Sequence, residues 1–174
     1  MTPQIIFPLD IVLGYVSWLL CFATYLWPKL KAMDSVNAQR AIATLHSFRF
    51  IGLVFLVPGV VGPHLPANFA GFAAYWDLAT ALLAIVTLIT VRVKPIFWFF
   101  VTTFNLVGTI DLLLDYHHAT SGGLRAVPGE LGAAFVIPVI IVPALMITHV
   151  AAFYLLVRSW TAANRTPSPE SSRD

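Results

Sequence analysis

Gly71 to Val91 is a run of 21 residues with a single charge, Asp77. A stretch of about 20 mostly apolar residues is what a helix needs to cross the hydrocarbon core of a bilayer. Leu9–Trp27 and Leu131–Val157 are similar runs, and Ile96–Tyr116 is a fourth that turns polar toward its end. A fifth is shorter: the purely apolar part, Phe50–Val61, has 12 residues. It reaches spanning length only if it starts near Ala41, which draws His46 and Arg49 into the membrane frame. The spacing therefore predicts an all-α polytopic membrane protein. Its five transmembrane helices, about 9–27, 41–62, 71–91, 96–116 and 131–157, form one compact bundle over residues 1–161.

Composition agrees. Charged residues make up 10% of the chain, against about 25% in soluble domains. The net charge of +2 is too small for a nucleic-acid partner, and the single Cys21 permits no internal disulfide. Met1–Pro8 contains no Lys or Arg, so the first apolar run reads as an uncleaved span rather than a signal peptide. Asp34-Ser35 offers a helix N-cap ahead of the second span. Pro138 and Pro143 are expected to kink the fifth span. The polar tail, 162–174, is expected to be disordered.

Lys29, Lys31, Arg40, Arg49, Arg92, Lys94, Arg158, Arg165 and Arg173 fall on or toward one side of this arrangement, and Arg125 on the other. The positive-inside rule then predicts N-terminus out and C-terminus in. The loops are compact, as in a bacterial inner-membrane protein.

Depth orders the polar residues. Asp77 lies 15 residues before Arg92 and Asp111 lies 16 after Pro95, which puts them about 22 and 24 Å above the inner boundary. Asp10, Asp115, His64, His117 and His118 fall higher still. Asp111, Asp115 and His118 share one helical face, which Gly108 continues. Arg49, Asn105 and His149 all come out at about 13–15 Å. The expectation is two layers, an outer one of carboxylates and histidines and an inner basic one, with Arg49 contacting Asn105, His149 or a bound anion.

Two carboxylates at one depth repel unless they share a proton or a cation. The leading expectation is therefore a proton or cation site around Asp77 and Asp111, with Arg49, Asn105 and His149 as further ligand or proton-binding residues. A divalent metal such as zinc, manganese or iron would draw on Asp77, Asp111, Asp115, His118 and His64. A redox alternative places haem b between His46 and His149, or a quinone near Arg49 and His149. A third is a non-catalytic subunit of a larger membrane complex or a homo-oligomer.

No Gly-x-Ser-x-Gly, P-loop or Cys-x-x-Cys occurs, so hydrolase, nucleotide and thiol chemistry have no support. The run Arg49–Leu88, with Gly52, Pro58-Gly59 and Trp76-Asp77-Leu78, resembles small DoxX-like bacterial membrane proteins. That resemblance covers one helix pair and implies no settled activity.

Overall fold

A computed structural model describes residues 3–163, with only the backbone at positions 3, 67, 125, 162 and 163. Every regular element among the described residues is helical. Helix α1 (Pro3–Cys21) passes through a π-helical turn (Phe22–Leu26) into α2 (Trp27–Ala32). Helix α3 (Ser35–His46) runs into a 3₁₀ segment, Ser47–Leu56. Then come α4 (Ala67–Ile89), a 3₁₀ turn (Thr90–Arg92) and α5 (Lys94–Ser121). Two 3₁₀ pieces (Leu124–Ala126 and Pro128–Phe135) and a π-helical turn (Ile137–Ile141) lead into α6 (Val142–Ala163). Four stretches are long and apolar enough to cross a membrane: Gln4–Ala32, Asn68–Arg92, Lys94–Ser121 and Ile137–Thr161. This fits an integral membrane protein.

The helices bury apolar and polar side chains together and expose large apolar ones. On α5, Phe97, Val101, Phe104, Asn105, Gly108, Asp111 and Leu112 are buried, while Phe99, Leu106, Ile110 and Leu113 are exposed. Helix α4 buries a stripe of small residues, Ala70, Ala73, Ala74, Ala81 and Ala84, interrupted by Asp77 and Thr80. Small residues let a neighbouring backbone come close, and here the neighbour is the 3₁₀ segment.

That segment departs from the continuous helix expected over 41–62. Its buried residues are Arg49, Gly52 and Phe55, a period of three, as the 3₁₀ geometry requires. Helix α3 itself begins where the sequence signals it. Asp34 caps it, accepting from the backbone N–H of Val36 at 3.1 Å and of Asn37 at 3.0 Å.

The fifth expected span also starts differently. Gly132, at φ +49°, breaks the helical path inside Pro128–Phe135; α-helix begins at Val142, after the π-helical turn that contains Pro138. Pro143 has no N–H to give the carbonyl of Val139. That carbonyl faces Gly14 of α1, where any side chain would strike it. Pro143 thus falls at a close contact between α1 and the start of α6. The expected tail begins within α6; residues 164–174 lie outside the described residues.

Two apolar clusters occupy the two ends of the bundle. One gathers Phe7, Phe55, Phe69, Leu124, Leu131 and Ile137. The other gathers Leu30, Ile42, Phe97, Val101, Phe104 and Leu155, at the end where Lys29, Lys31, Arg40, Arg92, Lys94 and Arg158 stand. Asp77, on α4 between Ala74 of the first cluster and Ala84 of the second, marks a polar layer between them.

Candidate functional site

Arg49 is the centre of that polar layer. Its side chain is fully buried, and each of its three nitrogens has a hydrogen-bond partner. Nε donates to Asp77 Oδ1 at 2.7 Å, and Nη2 lies 2.6 Å from the same oxygen. Nη2 also pairs with Asp111 Oδ2. Nη1 donates to the Gly108 carbonyl at 3.2 Å and meets His149 Nε2 at 3.4 Å. Arginine's rigid fork suits such multiple recognition of carboxylates.

The histidine tautomers follow from the partners. The Asn105 amide donates to the Val101 carbonyl at 2.8 Å, so its oxygen accepts from His149 Nδ1 at 2.9 Å. His149 Nε2 is then free to accept from Arg49. Thr148 gives its hydroxyl proton to the Ala144 carbonyl at 2.8 Å, so it accepts from His46 Nε2 at 3.0 Å. The bare Nδ1 of His46 is buried without a partner.

Two glycines make the room. A side chain at Gly52 would strike the carboxylate of Asp77. One at Gly108 would come within 2.6 Å of His149 Nε2 and 2.8 Å of Arg49 Nη1. Gly108 is legible in the sequence as a continuation of the Asp111 face, whereas Gly52 is not legible as part of a site. The signal was there in the three-residue repeat Arg49-x-x-Gly52-x-x-Phe55.

The arrangement corrects the two-layer expectation. Arg49, Asp77, Asp111, His149 and Asn105 form one cluster. The error was to give the guanidinium the depth of its own backbone: the 3₁₀ start at Ser47 lifts Arg49 by only about 1 Å. The long arginine side chain spans what remains. Arg49 faces the bundle and meets His149, as expected, but reaches Asn105 only through that histidine. The cation between Asp77 and Asp111 belongs to the chain itself.

Asp115 lies one turn beyond Asp111, and Asp111 Oδ1 and Asp115 Oδ1 are both buried without a hydrogen-bond partner. The remaining members of the metal set do not join them. His64 is exposed, and its backbone N–H bonds Glu130 at 2.9 Å. His118 packs edge-on against Phe72 at 4.5 Å, and His117 is exposed. Among the described residues no three His, Cys, Asp or Glu side chains are gathered as metal ligands.

The haem alternative meets a similar obstacle. The His46 and His149 rings lie against each other with centroids 4.0 Å apart, so no macrocycle fits between them.

A cavity of about 270 Å³ opens beside the cluster, between α1, α4, α5 and the π-helical turn. Asp77, Asp115, Tyr116 and Thr120 are the polar residues of its wall. Tyr116 and Tyr15 join their hydroxyls at 2.8 Å.

No curated protein and no solved structure matches the chain. Residues 6–157 match the model of the family described as Domain of unknown function (DUF8737), and the chain belongs to that family, with the whole polar cluster inside the matched region.

Proposed function

We propose that this is a small five-span membrane protein that takes up and releases a proton at Asp77, Asp111 and Asp115, poised to couple that step to movement of a solute. One observation carries the reading. A single guanidinium serves two carboxylates, and a third carboxylate stands one turn away with a buried oxygen that nothing satisfies. One positive charge balances one carboxylate. Additional bare charges in so dry a setting are costly, and a proton is the smallest group that relieves them. His149 and His46 continue the polar chain toward the basic end.

The fifth crossing is the α3–3₁₀ element. Its 12 α-helical and 10 3₁₀ residues reach roughly 18 and 20 Å, together more than the ~30 Å core. The basic end then faces the cytoplasm, with the N-terminus out and the C-terminus in, in a bacterial inner membrane. The bilayer is the immediate surrounding, and the exposed apolar faces leave room for a second copy or a larger complex.

Infrared difference spectroscopy across a pH step tests the proton site. A carbonyl band of a protonated carboxyl should be present at neutral pH and be lost or shifted in Asp111→Asn or Asp115→Asn. A spectrum unchanged in Asp77→Asn, Asp111→Asn and Asp115→Asn would sink the proposal. A reporter fused in the 119–129 loop should be active only as a periplasmic fusion, and one at the C-terminus only as a cytoplasmic fusion.

A further inference from the structure

We infer that the cavity beside the cluster binds a small lipophilic amine, its ring system against the phenylalanines and its ammonium at Asp115 and Asp77. The inference deepens the proton-site reading and rests on it for the charge of those carboxylates.

Most of the wall is apolar: Phe7, Ile11, Phe55, Phe69, Leu124 and Ile137 among others. An engineered cavity of about 150 Å³ holds benzene. This one, at about 270 Å³, is close to twice that size and suits a two-ring molecule.

The polar part of the wall chooses the head group. Asp115 Oδ1 is buried and without a partner. Thr120 gives its hydroxyl proton to the backbone carbonyls of Tyr116 and His117, at 2.8 and 2.9 Å, and so presents only an oxygen. No Lys, Arg, His, Asn, Gln or Trp side chain lines the cavity. The nearby cation, Arg49, turns its three nitrogens to Asp77, Asp111, Gly108 and His149. Apart from the Tyr116 hydroxyl, which shares a hydrogen bond with Tyr15, the polar wall is made of acceptors; it attracts a donor-rich cation and repels an anion. An ammonium brings three donors and the charge that the three carboxylates lack. Binding there would displace a shared proton, which is the coupling a proton-linked carrier requires.

The test uses the full chain in lipid nanodiscs and three probes of one shape: 1-naphthylmethylamine, 1-naphthalenemethanol and 1-naphthoate. Calorimetric titration should show the amine at least tenfold tighter than the alcohol, with the acid weakest. Asp115→Asn, nearly isosteric, should erase the amine's advantage and leave the alcohol unchanged. Ala73→Phe, which fills the cavity, should abolish specific binding of both. Equal affinity for amine and alcohol would overturn the inference. So would an amine preference that persists in both Asp115→Asn and Asp77→Asn, or saturable binding that survives Ala73→Phe. If the carboxyl infrared band behaves as proposed while the amine preference fails, the ligand class alone falls. If the amine binds as expected and no band responds to the three Asn variants, the proton reading alone falls.

Discussion

Gly108 holds the Arg49 guanidinium on its own backbone: its carbonyl accepts from Nη1 at 3.2 Å, and its missing side chain is the space that Nη1 occupies. Gly52, on the other side of the cluster, contributes only the space: a side chain there would strike the Asp77 carboxylate. Gly108→Ala and Gly52→Ala should each destabilise by about 1–3 kcal/mol, the cost of overpacking a filled interior. Gly71→Ala, on the same helix as Asp77 but with nothing within 4 Å of the added carbon, should leave stability unchanged or raise it by up to ~1 kcal/mol. Denaturant unfolding in detergent measures all three.

Arg49→Leu removes the counter-charge of two buried carboxylates. Stability should fall by about 3–5 kcal/mol. Lys31→Leu loses only an exposed contact over the Trp27 ring, 5.6 Å from its centroid, worth roughly 0.5–1 kcal/mol. Equal small effects would mean that Arg49 merely snorkels to the membrane surface.

Asp77 and Asp111 share one guanidinium, so their neutral variants should not add. Asp77→Asn or Asp111→Asn alone relieves repulsion and should cost under about 1.5 kcal/mol. The double variant leaves Arg49 without either direct counter-charge, and its cost should exceed the sum of the singles by about 1–3 kcal/mol. A double-mutant cycle on unfolding free energy reads this directly; simple additivity would place the carboxylates in separate sites.

The cap at Asp34 predicts a pH dependence outside the spans. Hydrogen bonds from the Asn37 backbone and side chain hold its carboxyl below the ordinary value of 3.8. A carboxylate whose folded value is depressed contributes stability above its unfolded value and loses it as pH falls through the folded one. Protection of the first-turn amides of α3, each rate taken relative to its intrinsic rate at that pH, should therefore fall below about pH 3.8. In Asp34→Asn, which caps without titrating, that fall should vanish.

Much of this was legible because it rests on local chemistry. Asp34-Ser35 announces a cap and Arg92-Val93-Lys94-Pro95 a tight turn. That Gly108 and Asp111 share a face of α5 follows from their spacing, while depth alone assigns Asn105 to a separate layer. What could not be read were the places where the backbone leaves the α-helix. Counting residues put Arg49 a full layer below Asp77, because a backbone depth says nothing about where a long side chain carries its charge. The 3₁₀ rise from Ser47 adds only about 1 Å by Arg49. The stacking of His46 on His149 also escaped, since depth says nothing about rotation around a helix axis.

The cluster joins residues that leave the ribosome far apart in time. Arg49 is made first; Asp77 follows 28 residues later and Asp111 62 residues later. The element bearing Arg49 is not one of the four that are apolar enough to cross on their own. On the five-span reading, it must wait at the membrane surface until α4 and α5 bring their carboxylates. Its insertion is then a step of assembly by partner helices rather than of its own synthesis, and a chain halted before Asp111 would hold its central cation half paired.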